Sequence, residues 1–450
     1  MYKKKLISLT TLILIFLVFF GYQKLSDFNN KISLQKNTID KQKKEINKLK
    51  NDLNWLAKKR ELFPKIINPL ESDINLKKNL TEITYKKNST TKIKDKNFNI
   101  YNPDKNLILR GIASFVPGSA YLEFYNDNLF LLSSIGILGY SKISGDKLVF
   151  TQIKNNIDEF IGIPQLKKRN SVSLKDLKIF NNKIFISLTN EKTKDCWNTS
   201  IIYADLNLKE LKFNKLFFPE ECINSLNTKD GEFDPIQSGG RIINLDDKII
   251  LLSIGDYRSR QLAQNKKSIF GKILKINIKT KEYKIFSMGH RNPQGLYYDA
   301  YNNFVLETEH GPEGGDEINL IEVNKNSIPN YGWAIASYGE HYGGKTKGNE
   351  KLYNDYPLLK SHEKNGFIEP LKSFTPSIGI SEIVGLDQNN YLVSSLRDQS
   401  IYFFSLNENK KISKIEKFKL GERIRDVIYK EGKIFIFLED SVSIGIIDWK

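Results

Sequence analysis

One short pattern occurs six times in the C-terminal part of this chain: a polar turn followed at once by a strongly apolar strand. It reads YNDNLFLLSS (125–134), NNKIFISL (181–188), DDKIILLSIGD (246–256), YNNFVLETE (301–309), QNNYLVSSL (388–396) and KEGKIFIFLED (430–440). Asn, Asp and Gly tolerate the left-handed backbone of tight hairpins, and the apolar runs after them suit buried strands. No long helical periodicity lies between the copies. Six similar units, spaced for four-stranded blades with loop insertions, predict an all-β body, a six-bladed β-propeller over residues 106–450. Ring closure removes exposed sheet edges. A pair of β-sandwiches is the competing arrangement, but it gives no reason for six similar units.

The N-terminal part reads differently. Three lysines at positions 3 to 5 precede an uncharged, mostly apolar run from Leu6 to Tyr22. That is the short end of a membrane-spanning helix and longer than a signal-peptide core, with no small-x-small cleavage pattern after it. Residues 1–24 are therefore expected to be an uncleaved anchor rather than a removed signal. The lysines would keep the N-terminus in the cytoplasm, placing the body on the periplasmic side of the inner membrane. Over residues 25–63 the apolar positions fall into heptads, with Leu25, Ile32, Ile39, Ile46 and Leu53 on one row. Phe28, Gln35, Gln42, Leu49 and Leu56 form the other. This predicts a coiled-coil stalk, dimeric and parallel, roughly 50 Å long, with a lone solvated helix as the alternative. Residues 64–105, rich in Lys and Asn with scattered Pro, read as a linker.

The formal charge of +17 suggests nucleic acid until it is located. Residues 1–105 hold 23 Lys/Arg against 10 Asp/Glu, and the remainder 46 against 42. The body is nearly balanced and carries no aromatic-rich basic motif or zinc-finger spacing, so nucleic acid is not an expected partner. In an exported chain the two cysteines, Cys196 and Cys222, are candidates for one disulfide; two free thiols are the alternative.

Four loops carry unusual chemistry. MGHRNPQGL (288–296) holds Arg291 and Asn292 beside Pro293, and a guanidinium there offers a planar fork to a carboxylate or phosphate. ERIRDV (422–427) alternates Arg423 and Arg425, placing both on one face of a strand. Arg397 follows a repeat strand in SSLRDQS. Arginines at comparable blade positions suggest a flat polyanionic ligand. ETEHGPEGGDEINLI (307–321) packs one His, one Pro, three Gly and five carboxylates into one turn. Gly311 and Pro312 leave carbonyls free to face a hard cation. The turn's carboxylates either bind calcium themselves, or Asp316 and Glu317 cap neighbouring amides.

Taken together, GHRNPQGL, TEHGPEGGDEINL, NYGW (330–333) and RIRD resemble the glucose/sorbosone dehydrogenase family over roughly residues 106–448. The resemblance implies a six-bladed propeller and an aldose sugar dehydrogenase. Such an enzyme moves hydride from a sugar C1 hydroxyl carbon to pyrroloquinoline quinone (PQQ) held with Ca²⁺. It assigns Arg291 and Asn292 to the quinone, Arg423 and Arg425 to its carboxylates, and Gly311 and Pro312 to the Ca²⁺. Arg397 falls where the family usually has Lys.

One position departs from the family. The family's general-base His, four residues before the position of Arg241, is Gln237 here, which has no proton-accepting pKa near neutrality. Asp256 matches the carboxylate that supports the His, and Gln261 and Leu262 match a pair that contacts the sugar or alcohol substrate. The resemblance therefore leaves two expectations: a dehydrogenase with an altered base, or a catalytically silent propeller that binds quinone or sugar.

Overall fold

The computed structural model describes residues 81–450 except 105–108, 110, 114–115 and 326. In the N-terminal part it describes 21–26, 28, 31–36, 38–40, 42–43 and 46. The chain divides into two compact units, Met1–Asn68 and Pro69–Lys450. In the first, every described residue from 21 to 46 is helical. Leu25, Phe28, Ile32, Ile39 and Ile46, all from the two heptad rows, are 47–61% exposed. The anchor's residues 1–20 and the stalk beyond residue 46 lie outside the described residues. Among those described, no helix is long and apolar enough to cross a membrane.

The second unit is built from six four-stranded antiparallel blades. Their innermost strands are Ala120–Tyr125, Leu174–Phe180, Gly239–Asn244, Pro293–Asp299, Ile380–Asp387 and Ile424–Lys430. Each touches the next, and the sixth touches the first, so the ring is closed. Each sequence repeat is the hairpin joining an innermost strand to the second strand of its blade. The turn chemistry is the expected one: Asn126–Asp127 (φ 45° and 60°), Asn181–Asn182 (50° and 53°) and Glu431–Gly432 (50° and 74°) are left-handed at both central positions, which matches the twist of the strands they join. The second strands are almost wholly buried, NLFLLS at 128–133 completely so, because blades cover both of their faces.

The linker reading of residues 64–105 gives way over its second half. β1 (Glu82–Ile93) and β2 (Lys96–Pro103) form a hairpin. β1 pairs with the outermost strand of blade 1, Lys147–Gln152, and β2 with Ser443–Asp448 of blade 6. Thus β2 is the fourth strand of the last blade, and the hairpin joins the two blades where the ring closes. On the blade 2 side, Cys196 and Cys222 are disulfide-bonded, tying the third strand of that blade to its short partner Ile223–Asn224.

Arg241, on the innermost strand of blade 3, reaches every other blade. Its Nη1 lies 2.8 Å from Asp176 Oδ1 of blade 2 and 3.0 Å from Asp426 Oδ1 of blade 6; Nη2 pairs with Glu382 of blade 5. Nε donates to the Gln294 carbonyl of blade 4 at 3.1 Å, and the guanidinium stands 5.7 Å from the Tyr121 ring of blade 1. Three buried carboxylates thus share one cation. Burial pushes Asp176 up to about 7 against the pull of Arg241, with Asp426 adding to the rise. Glu382 is pushed well above the carboxylate range, again by burial first.

Three outcomes follow. Reducing the disulfide opens a 26-residue separation and should cost roughly 3–4 kcal/mol, seen as a lower urea midpoint with dithiothreitol that is absent in Cys196→Ser. Arg241→Met strands three buried acids and should cost about 3–5 kcal/mol or abolish folding. For Asp176 the folded pKa is raised from 3.8 to about 7, so its contribution is complete below the ordinary carboxylate range and is lost as pH rises toward 7. Asp176→Asn should flatten stability across that window; an unchanged pH profile would refute the raised pKa of Asp176.

Candidate functional site

A cavity of about 570 Å³ opens at one mouth of the ring. Its walls are the segments entering the innermost strands and the loops leaving the second strands. Six of the sequence-predicted residues line it together with Gly311 and Pro312: Gln237, Arg291, Asn292, Arg397, Arg423 and Arg425. Asp256, Gln261 and Leu262 do not.

Arg423 and Arg425 do point to one face, and one carboxylate registers them. Their Nε atoms donate to Glu439 Oε2 and Oε1 at 3.0 and 2.7 Å, and Ser119 Oγ donates to the same carboxylate. Glu439 is fully buried, which alone would raise its pKa, but Arg425 and Arg423 outweigh burial and hold it below the usual range. Arg397 stands exposed in the lining, on the neighbouring blade 5. The φ of +65° at Gly379 lets that segment approach closely: a Cβ there would lie 2.9 Å from the Arg397 Cβ.

Arg291 is the most constrained of the group. Its backbone N–H donates to Glu309 Oε2 at 2.6 Å. Its Nη1 donates to the carbonyls of His310 (2.9 Å) and Gly311 (2.6 Å). The guanidinium lies 5.4 Å from the Trp333 ring and 5.9 Å from the Tyr342 ring. The Gln237 amide satisfies both its ends in one orientation only. Its nitrogen then donates to Asp256 Oδ1 at 3.0 Å, and its oxygen accepts from Arg291 Nη2 at 3.0 Å and Arg258 Nε at 3.2 Å. Asp256 in turn accepts from Trp333 Nε1 at 2.7 Å and the Arg258 N–H at 2.8 Å. Burial raises the Asp256 pKa, with Arg291 the leading opposing influence. Asp256 thus supports position 237, as the family match predicts, but what it supports is an amide.

In the turn at 307–321 Asp316 caps neighbouring amides, while Glu317 faces Asn319 and His362. Asp316 accepts from the N–H groups of Gly311 (3.1 Å), Gly379 (2.7 Å) and Ile380 (3.0 Å). Gly311 admits no side chain, since a Cβ would meet the Gly315 carbonyl oxygen at 2.0 Å. His310 faces the cavity, and burial lowers its imidazole pKa to about 4, Asp316 pulling the other way. Asn292 is occupied structurally: its Oδ1 accepts from Gln294 Nε2 at 3.0 Å and the Gly239 N–H at 3.3 Å. Gln261 and Leu262 sit on the short helical turn Arg260–Gln264. Gln261 accepts from Tyr356 OH at 3.3 Å, and Leu262 packs against the apolar core; neither residue of the expected substrate pair lines the cavity.

Tyr342, 57% exposed at the mouth, Arg258 and Lys175 were not singled out by sequence reasoning. Only an aromatic two residues before Gly344 in EHYGG hints at Tyr342.

A profile of the glucose / sorbosone dehydrogenase family matches residues 147–446. The chain belongs to that family. Among its relatives, an uncharacterized Synechocystis protein is 30% identical over 234 residues, covering 45% of this chain and 53% of the relative. Aldose sugar dehydrogenase YliI of Escherichia coli is 26% identical over 226 residues, 45% and 57% of the two chains. The alignments thus span little more than half of either relative. The solved structure of the soluble Escherichia coli aldose sugar dehydrogenase superimposes with a TM-score of 0.57 at 19% identity, covering 78% of this chain and all of that one. The PQQ-bound form of a Streptomyces coelicolor aldose sugar dehydrogenase gives 0.53 at 17%, covering 74% and 99%. These superpositions establish the fold.

The residues present fit one family ligand and not the other. Guanidinium groups around a cavity with an aromatic rim suit a flat trianion such as PQQ. Ca²⁺ fits poorly, because Arg291 already donates to the Gly311 carbonyl and Ser377 Oγ donates to that of Pro312 at 3.3 Å. A divalent ion on the Gly311 oxygen would sit about 4 Å from a guanidinium, about 8 kcal/mol of repulsion at an effective dielectric of 20 before neighbouring carboxylates offset it.

Glu439→Gln should release both arginines from their shared acceptor. Loss of about 3 kcal/mol or more of stability in urea is expected, as for a broken buried pair; a change under 0.5 kcal/mol, roughly that of a neutral surface substitution, would show that Glu439 does not register them.

Proposed function

We propose that this chain is a PQQ-binding protein of the aldose sugar dehydrogenase type, acting on a sugar or related alcohol outside the cytoplasm. The observation that carries this reading is the convergence of Arg291, Arg397, Arg423 and Arg425 on one cavity. When bound, PQQ supplies a quinone that accepts hydride from the sugar C1. Arg423 and Arg425, fixed on Glu439, would hold carboxylates; the Tyr342 ring would cover the flat face. Arg291 keeps a fixed positive charge where an oxygen gains negative charge. The hydroxyl proton needs another destination, since Gln237 accepts none; Asp234, Glu313 and the neutral His310 line the cavity and offer one, whereas Asp316 is engaged by three backbone N–H groups. We further propose attachment to the inner membrane through residues 1–24 and homodimerisation through 25–63, for which the exposed heptad row of Leu25, Ile32, Ile39 and Ile46 is the support.

A second reading, a catalytically silent quinone- or sugar-binding propeller, is favoured by Gln237, whose amide is engaged at both ends. One experiment separates the two. The protein is loaded with PQQ and dye reduction by aldoses is followed. A dehydrogenase lacking only its base should turn over slowly and gain about 10²–10⁴-fold in Gln237→His. Binding with no turnover in either protein supports the silent reading. No binding of micromolar PQQ overturns both.

A further inference from the structure

The cavity's disagreement with a calcium-dependent site can be followed to its cause. The Gly311 carbonyl is expected to face a hard cation, yet the cation on it is the side chain of Arg291, at 2.6 Å. Arg291 is held there by a continuous chain of hydrogen bonds. Trp333 Nε1 donates to Asp256, Asp256 accepts the Gln237 amide nitrogen, and the Gln237 oxygen accepts Arg291 Nη2. The two aromatic rings beside Arg291 confine it further.

The side chain at 237 decides whether this chain of bonds exists. An amide donates with one end and accepts with the other, so it can join a carboxylate to a guanidinium with both bonds satisfied. An imidazole that donated to Asp256 would present its other nitrogen from a different position, and an alkyl side chain would offer Arg291 nothing. The Gln237 oxygen also accepts from Arg258 Nε at 3.2 Å, so two guanidinium groups share one neutral acceptor. That neutral acceptor leaves the charge on Arg291, whereas Arg258 is also paired with Glu232 and Asp234 at 3.6 and 3.5 Å.

We infer that Gln237 is a positioning residue that locks Arg291 onto the Gly311 carbonyl, making the cavity a metal-independent anion site in which a guanidinium stands where a divalent cation would otherwise sit. The inference rests on the anion-binding reading of this cavity but not on PQQ being its ligand.

The test uses the full chain, stripped with EGTA and then assayed in EGTA or in millimolar Ca²⁺, with protein fluorescence as the readout. PQQ is the first probe and benzene-1,3,5-tricarboxylate, another flat trianion, the second. PQQ is expected to bind with affinities agreeing within about twofold in the two buffers, and Gln237→Ala, with Arg291 released, to acquire at least about tenfold tightening by Ca²⁺, equivalent to about 1.4 kcal/mol. Gain of a calcium response is a change that misfolding does not produce. Tenfold or greater tightening by Ca²⁺ in the unsubstituted protein would overturn the inference, as would a Gln237→Ala protein that binds as before without calcium response. Should PQQ fail while the tricarboxylate binds in EGTA, the cofactor reading falls and the metal-independent site stands. If neither trianion binds in EGTA, the site falls too.

Discussion

A ring of six blades must solve one electrostatic problem before it can carry anything at its mouth: what to place on the axis, where six innermost strands converge. Here the solution is a single guanidinium. Arg241 has one planar group with donors on three sides, and five other blades each present something to it: two aspartates, a glutamate, a backbone carbonyl and an aromatic face. Lysine could not replace it, because a point ammonium lacks the fixed fork that addresses separate acceptors. The excess of acid over base in this cluster keeps a proton in it near neutrality, as the raised Asp176 records. Such buried networks are weak sources of stability, and their best-attested value is specificity of arrangement.

The mouth above this hub follows from the same geometry. The segments entering the innermost strands begin where Arg241 ends, so residues placed there necessarily face one another across the axis. Glu439 registers Arg423 and Arg425, Asp316 pins the 307–321 turn to the next blade through two amides, and Gln237 ties Arg291 down. Arg291, Arg423 and Arg425 are thus oriented by buried partners before any ligand arrives. Little side-chain freedom is left to lose on binding, which is what preorganisation means energetically.

Much of this was legible in the chain. The six turn-plus-strand units mapped onto the second strand of each blade, because turn residues, left-handed in five of the six units, are local determinants and need no tertiary context. The cavity arginines were legible through alternation in RIRD and through loop composition. The β1–β2 hairpin was not. EITYKKNSTTKI lies at the rim, where only alternate positions such as Ile83 and Tyr85 are buried, and a strand that is mostly polar resembles a linker. Nor could the sequence reveal that Gln261 and Leu262 turn toward Tyr356 and the core, or that the Gly311 carbonyl faces a guanidinium, since each depends on a partner about 20 or more residues away.

The way the ring is completed has a kinetic corollary. Asn99 on β2 donates to Asp448, 349 positions later in the chain. The entropy of closing so large a loop grows only with the logarithm of its length, so the seam is thermodynamically inexpensive. In time it is late: β2 is made among the first parts of this body and its neighbour among the last. Until then β2 is an unpaired edge looking for a strand, and during synthesis the least protected part of the molecule is the one that will eventually fasten the whole circle.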